Sequence, residues 1–448
     1  MTVQPDTELI EPHTTTSARL LGWAAVIGVG GGFLAVGYYL LLQGALRLVW
    51  DGLLGIRPLS LPIEPTWHPG IIAVTTVGGL VVGLLTRWLG SAGEIAAVVD
   101  NIHLSHGRID IRQTPSMVTT SLASIAAGGS AGPEAPLVQI IGSFASWLGV
   151  WFRMDDHIVR TFTFCGMSAA LGAFFGAPLG GALFALEIPH RRGIEYYEAL
   201  LPAIVSALVG FLVFHSLVGY EHILFHFPDE PAIEIMTVLW GVGFGVLGAG
   251  IAIAFATIFG AVGRLTEHWE RTPVRLAVLG GVVLGLLAQL APMSLFWGEF
   301  QIDRIINSPA DLLEHHTTGA AVGLLLLLAA VKVLAVSVTL RTGFRGGFIF
   351  PLMLIGAAIG TAATLLLPSA PAAAVVIATM AATNVGITKT PVSTSVILVT
   401  LTGISMMPVV IAASIVSLLL TSRLNLIHTQ RSRDGVAGVR RHRPPPAV

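Results

Sequence analysis

Charged residues and cysteines are scarce in this sequence of 448 residues. Asp, Glu, Lys and Arg together make up 11% of the chain and hydrophobic residues 54%, whereas ordinary soluble domains carry about 25% charged residues. A soluble fold of this size would lack the polar groups to cover so much apolar surface, which excludes a water-soluble globular protein. The one cysteine, Cys165, excludes an internal disulfide and a cysteine metal cluster.

The charges that are present nearly cancel, with 24 basic and 25 acidic residues and a formal net charge of −1. No overall field therefore favours nucleic acid as a partner. The basic, arginine-rich tail predicts a cytoplasmic C terminus under the positive-inside rule. Residues 1–18 lack the basic start and short apolar core of a signal peptide, so the N terminus is predicted to be cytosolic as well.

Apolar stretches of about 20 residues, the length of a transmembrane helix, recur along the chain. They occupy residues 20–49, 70–89, 161–188, 199–219, 233–261, 318–340, 346–367, 371–400 and 403–421. The sequence therefore predicts an all-α integral membrane protein that crosses the lipid bilayer of the cell (plasma) membrane several times.

The two halves of the chain resemble each other. The run PLVQIIG at 136–142 is echoed by PLMLIG at 351–356, an offset of 215 residues, and glycine-rich residues precede both runs. A proline eleven residues after a methionine also occurs in each half, at Pro178 and Pro391, an offset of 213 residues. The repeat predicts membrane domains at 19–220 and 233–421 with a connecting loop at 221–232. The polar, Arg- and Pro-rich composition of residues 422–448 predicts a disordered basic tail.

Gly and Pro at corresponding positions of two membrane halves indicate helices that begin inside the bilayer. Such a helix start leaves backbone N–H groups without partners, carries partial positive charge and can bind an anion. Residues 128–136 and 343–351 are therefore predicted to direct N–H groups at one ion. The alternative is that these residues form kinks between ordinary membrane helices, where Gly and Pro are common.

In these motifs the sequence resembles the CLC family of chloride channels and proton-coupled chloride transporters. GPEAPLVQI at 132–140 is similar to the family's Gly-(Lys/Arg)-Glu-Gly-Pro motif, and GFIFP at 347–351 is similar to Gly-x-Phe-x-Pro with the Phe one place early. Residues 166–187 and 386–391 match the family as well. The resemblance covers about residues 20–421. It implies a CLC-type fold of two inverted-topology repeats with many tilted and discontinuous helices, a homodimer with one pore per subunit, bound chloride ions, and no cofactor.

Glu134 is the candidate gate. It lies between Pro133 and Pro136, where a helix is expected to begin, and an ionisable group in a membrane segment usually faces a cavity and is functional. Burial disfavours the ionised carboxylate and a helix start favours it, so the group is expected to exchange protons. We expect the carboxylate to occupy the place of the anion until protonation or chloride displaces it. The alternative is a charge that stabilises the helix start without gating.

The resemblance also implies anion ligands. Backbone N–H groups of Phe348 and Ile349, with Gly132 near Glu134, correspond to the family's ion ligands, although packing alone would also explain the two apolar residues. The family's selectivity serine aligns either with Gly93, which has no hydroxyl, or with Ser91, so a preference for chloride over nitrate stays open.

The family's inner pore tyrosine is missing, and the nearest candidate is Ser405. A proton path would use Glu134 and Glu187, but Ile188 stands where proton-coupled members carry an inner glutamate. The sequence therefore favours a passive chloride channel or a loosely proton-coupled transporter. A tightly coupled chloride/proton antiporter is the first alternative, and a non-transporting membrane anion sensor is the second.

An enzyme is not predicted. No metalloprotease, Gly-x-Ser-x-Gly or paired-aspartate motif occurs in the apolar segments. The adjacent His315 and His316 do not share a helix face and have no spaced partner, so no metal site is expected.

Overall fold

The computed structural model describes residues 18–90, 95–191, 193–219, 225–227, 231–403 and 406–431. Regular structure in these residues is helical, apart from one isolated β-bridge. The α-helices are α1 (Ala18–Leu46), α2 (Pro69–Leu89), α3 (Ile95–Leu104), α4 (Thr114–Ala126), α5 (Glu134–Trp151), α6 (Asp156–Phe175), α7 (Pro178–Glu187), α8 (Leu200–Val218), α9 (Ile235–Thr266), α10 (Pro273–Leu290), α11 (Glu299–His315), α12 (Thr318–Arg341), α13 (Ile349–Leu366), α14 (Ala372–Thr388), α15 (Pro391–Thr402) and α16 (Met407–Leu420). The predicted all-α fold is confirmed.

Eight helical segments in the described ranges are long and apolar enough to cross a membrane. They are built on α1, α2, α6, α8, α9, α10, α12 and α13. The helices α14, α15 and α16 are apolar but shorter. This composition is that of a multi-pass integral membrane protein, as the sequence predicted.

Two of the predicted apolar stretches are each broken into two helices. The stretch 161–188 divides between α6 and α7 at Gly176, and the stretch 371–400 divides between α14 and α15 at Lys389. Both residues have a left-handed backbone, with φ of 64° and 63°, which ends a helix. Pro178 and Pro391 then start the next helix at its first position, where a missing N–H does no harm. The breaks follow the repeat predicted from the sequence.

The same helix pairs pack together in each half. The helix α1 packs on α8 as α9 packs on α16, α5 packs on α6 as α13 packs on α14, and α6 packs on α8 as α14 packs on α16. The two sets of helices therefore form two copies of one arrangement.

Glycines bring the halves together where α2 crosses α10. A Cβ added to Gly79 of α2 would collide with the backbone of Ala277 in α10, and one added to Gly281 of α10 would collide with the backbone of Thr75 in α2. Small residues at membrane helix interfaces allow such close backbone approach. The reciprocal pattern matches the repeat, because α2 and α10 hold corresponding places in the two halves.

Candidate functional site

The two halves meet at the starts of α5 and α13. The helix α5 begins at Glu134 and α13 begins at Ile349, both within the segments in which the sequence predicted helix starts. Just before them, Gly132 N–H donates to the carbonyl of Gly347 at 2.8 Å and Gly347 N–H donates to the carbonyl of Gly132 at 2.7 Å. These two residues lie 215 positions apart, which is the offset of the repeat. Such a self-reciprocal pair is what a local two-fold relation produces.

A second reciprocal pair of hydrogen bonds flanks the first. The backbone N–H of Ser130 donates to Thr339 Oγ1 at 3.0 Å, and the backbone N–H of Arg345 donates to Ser124 Oγ at 3.0 Å. Donors and acceptors are again related by an offset of 215. We call residues 130–134 and 345–349 the central junction. These four long-range hydrogen bonds contribute to holding it, so the two helix starts have a defined mutual position.

Glu134 lies at this junction and is completely buried. Its Oε1 accepts the N–H of Ile349 at 2.9 Å, while Oε2 has no hydrogen-bond partner among the described residues. The carboxylate of one half therefore sits at the start of the other half's helix, where partial positive charge favours an anion.

Two glycines make room for the Glu134 side chain. A Cβ on Gly132 would overlap its carboxylate, and a Cβ on Gly347 would overlap its carboxylate and Cγ. Both positions belong to the reciprocal pair described above. The close approach of backbone to carboxylate thus requires glycine on both sides.

A narrow cavity adjoins Glu134, and every other side chain that lines it is apolar. The lining residues belong to α3, α5, α6, α7 and α13 and to the residue directly after α7. They are Val98, Val99, Glu134, Val138, Met167, Leu171, Phe184, Ile188 and Ile349. An anion at this place would meet the Ile349 N–H and an otherwise apolar wall. With the carboxylate in position, that donor is already occupied.

The other predicted anion ligands are placed differently. Phe348 immediately precedes α13 and its side chain is half-buried. The N–H of Gly132 is engaged with Gly347, so in this structure Gly132 joins the two halves rather than presenting a free donor. Ser91, Gly93 and Ser405 lie outside the described residues, and their roles stay predictions.

Glu187 does not line the cavity beside Glu134, whereas the neighbouring Ile188 does. The Glu187 carboxylate is buried and accepts the N–H of Val392 at 3.2 Å, the N–H of Ser393 at 2.8 Å and the Ser393 hydroxyl at 2.6 Å. It therefore satisfies the first turn of α15, the half-helix that follows the break at Lys389. The part of Glu187 in a proton path stays a prediction.

Lys332 is a functional candidate, and its contacts could not be inferred from the sequence. A lysine in a membrane helix usually pairs with an acid or extends its ammonium toward the interface. The Lys332 ammonium instead donates to the carbonyls of Ser294 at 3.0 Å and Phe296 at 2.7 Å, and the Ser130 hydroxyl donates to the same Ser294 carbonyl at 2.8 Å. Lys332 is also close enough to Glu134 for the two opposite charges to attract each other. The only signal in the sequence was a lone positive charge in an apolar helix.

Comparison with known proteins assigns the fold and the sequence motifs to one protein family. The family model described as voltage gated chloride channel matches residues 78–422. The chain belongs to this family, the CLC proteins. Anion transport across a membrane is accordingly the functional class of this CLC protein, and the relatives found are channels and transporters rather than enzymes.

Two curated relatives match most of the chain. A chloride/fluoride channel protein of Pseudomonas syringae pv. tomato is 28% identical over 416 residues, covering 91% of this chain and 88% of the relative. The putative ion-transport protein YfeO of Salmonella schwarzengrund is 28% identical over 365 residues, covering 79% and 82%.

Solved structures share the fold at lower identity. A CLC-type fluoride/proton antiporter superposes with a TM-score of 0.74 at 20% identity, covering 92% of this chain and 98% of the other. A slow cyanobacterial Cl⁻/H⁺ antiporter superposes with a TM-score of 0.71 at 20% identity, covering 94% and 99%. The CLC-type fold implied by the sequence motifs is therefore confirmed.

Proposed function

We propose that this CLC protein moves chloride and other small monovalent anions through a pathway closed by Glu134, either passively or with loose coupling to protons. The observation that carries the proposal is the hydrogen bond from Ile349 N–H, at the start of α13, to the buried Glu134 carboxylate. A helix start in a membrane is an anion site, and here the protein's own carboxylate takes that site.

Opening follows from the chemistry of this bond. A carboxylate and a permeant anion compete for the same N–H group, so a high anion concentration displaces the side chain. Protonation removes the charge of Glu134 and weakens the charge-assisted hydrogen bond. Either event frees the donor and the narrow cavity beside it for a passing anion.

Loose coupling is proposed because the acids near the pathway are engaged or missing. Glu187 is held by the start of α15, and Ile188 presents an aliphatic side chain to the cavity. Tight antiport is the alternative, since solved structures of the same fold are described as proton antiporters. Fluoride is a further candidate anion, because the Pseudomonas relative is described as a chloride/fluoride channel.

The setting proposed for this activity is a homodimer in the plasma membrane, with both termini in the cytoplasm. Arginines support the orientation: the segments that carry Arg108, Arg191 and Arg431 meet at Pro189, whose carbonyl oxygen accepts the N–H of Arg431 and lies 2.9 Å from His103 Nε2. We call this region the arginine-rich end, and under the positive-inside rule it faces the cytoplasm.

The test is anion efflux from liposomes that contain the purified protein, with proton uptake recorded in the same sample. Chloride, nitrate and fluoride are compared for wild type, Glu134→Ala and, as a control, Glu314→Ala, which removes an exposed carboxylate on α11. We expect anion flux in wild type, faster flux without proton movement in Glu134→Ala, and wild-type behaviour in the control. Absence of anion flux from both wild type and Glu134→Ala would reject transport and favour the anion sensor. Stoichiometric proton movement against its gradient in wild type would replace loose coupling by antiport.

A further inference from the structure

Two buried histidines lie together at the arginine-rich end. His103 is near the end of α3 and His190 follows α7, and their side chains are 1% and 0% exposed. The ring centroids are 5.3 Å apart in an edge-to-face arrangement. Tyr196 packs on both rings, with centroid distances of 6.3 Å and 5.4 Å. The role proposed for Glu134 uses neither imidazole.

Backbone carbonyls determine where each neutral ring carries its proton. His103 Nε2 lies 2.9 Å from the carbonyl oxygen of Pro189, and His190 Nδ1 lies 2.8 Å from that of Leu186. A carbonyl can only accept, so these two nitrogens are the donors, and the other nitrogen of each neutral ring is a base. His103 Nδ1 is buried and has no hydrogen-bond partner in the described part of the chain. This nitrogen is therefore a proton acceptor, and the hydrogen bond of Nε2 in the same ring holds it in place.

Residues close to each histidine in sequence line the cavity beside Glu134. Val99 lies one helical turn before His103 on the same face of α3, and Ile188 lies two residues before His190. Both Val99 and Ile188 line the cavity beside Glu134. The imidazoles thus stand at the arginine-rich end of the elements that form the cavity wall. Because that wall is apolar, a proton would cross to Glu134 on transient water.

A carboxylate whose charge acts on His103 lines an open cavity. Glu195 lines this cavity together with Arg191, Gly193 and Lys389, and its carboxylate is within electrostatic reach of His103. A carboxylate between open space and a buried imidazole is suited to collect a proton and pass it inward.

The other charges that face His103 oppose its protonation. Arg160 donates from Nε to the carbonyl of Ile102 at 3.1 Å, and its guanidinium lies 4.9 Å from the centre of the Tyr196 ring. Arg431 pairs with Asp100 at 3.4 Å. Both arginines repel an imidazolium at His103 and Glu195 attracts it, so a proton taken up there is also readily released.

We propose that His103 and His190 form a proton-exchange site between Glu195 and Glu134, which gives this CLC protein a proton path from its arginine-rich end. A proton from water or Glu195 binds the basic nitrogen of an imidazole and yields an imidazolium. Release toward Glu134 restores the neutral ring, so the pair carries protons without net change. The inference rests on the proposed role of Glu134 as the site that receives the proton.

The test uses substitutions that keep the ring's donor and remove its base. His103→Gln retains a donor in the place of Nε2, and His190→Asn retains one in the place of Nδ1. Chloride efflux and proton uptake are measured together in liposomes for each variant and for the double variant. Since positioned acid–base groups contribute about 10²–10⁴-fold to proton transfer, we expect proton uptake to fall at least tenfold. Chloride efflux should stay close to wild type.

The control is His315→Gln, which removes an exposed imidazole from α11 and should leave both fluxes unchanged. Wild-type proton uptake in the double variant would overturn the proposal. Equal loss of chloride and proton flux would also overturn it, because the histidines would then support only the structure of the pore. A wild-type protein that moves chloride without protons would reject the proton path while leaving the anion pathway and its gate intact.

Discussion

Glu134→Gln is expected to hold the anion pathway open at every pH. In wild type, one carboxylate oxygen accepts the Ile349 N–H at 2.9 Å in a fully buried site. A hydrogen bond to a charged group contributes about 1.5–3 kcal/mol and one between neutral groups about 0.5–1.5 kcal/mol. Loss of the charge therefore weakens closure by about 1–1.5 kcal/mol, which is roughly a five- to tenfold change in the open fraction.

The direction in which anion flux changes with pH follows from the same hydrogen bond. As the pH falls, Glu134 takes up a proton, the closing bond weakens and flux rises, so wild type should show a rise of roughly five- to tenfold toward acidic pH. The glutamine variant cannot change its charge. Its flux should equal the acid limit of wild type and stay flat. Chloride efflux from liposomes, measured over a series of buffers from acidic to mildly alkaline, checks both statements.

Glu187→Gln is the matched control for this experiment. It also neutralises a buried carboxylate at a helix start, but that carboxylate binds α15 and does not line the cavity. We expect the variant to be less stable and to keep the pH dependence of wild type. If Glu134→Gln retained the wild-type pH profile, the gating role of Glu134 would be refuted.

Four further substitutions test the central junction and the contacts around it. Gly347→Ala places a methyl group where the Glu134 side chain lies, so it should displace the carboxylate and raise chloride efflux as Glu134→Ala does; unchanged efflux would contradict this. Ser124→Ala and Thr339→Val each remove the acceptor of one buried backbone N–H, and each should cost about 1–3 kcal/mol; clearly unequal shifts in thermal midpoint would contradict the equivalence of the two halves. Lys332→Met removes the buried ammonium from the carbonyls of Ser294 and Phe296, of which the first keeps the Ser130 hydroxyl as a donor. The thermal midpoint of the variant in detergent should fall markedly, and an unchanged midpoint would show that the ammonium bonds contribute little.

The breaks in the membrane helices were largely predictable because their causes are local. Proline cannot continue a helix and glycine readily adopts the left-handed backbone that ends one. Gly176, Pro178 and Pro391 could therefore be read as break points from the sequence, and the expected starts of α5 and α13 fall within their predicted segments. The second break itself falls at Lys389, which has a side chain and still adopts φ of 63°. No local signal marked that residue.

Contacts between distant residues were not predictable from one sequence. A lysine in a membrane helix usually pairs with an acid or reaches the interface, whereas Lys332 binds backbone carbonyls. A carbonyl is present at every residue, so no side-chain pattern indicates which ones will face a lysine. No sequence pattern links His103 with His190, and only the tertiary contact between the end of α3 and the segment after α7 brings the two rings together.

The sequence by itself determined that this is a membrane protein, that it consists of two related halves and that Glu134 is the ionisable group to examine. Each of these conclusions rests on hydropathy, on repeat offsets or on a charge in an apolar segment, which are properties of composition and spacing. Only the tertiary structure decided what that charge touches. The reciprocal bonds of Gly132 with Gly347 join residues 215 positions apart, and they place Glu134 of one half on the helix start of the other. Such an arrangement depends on how the two halves pack, which no single half encodes.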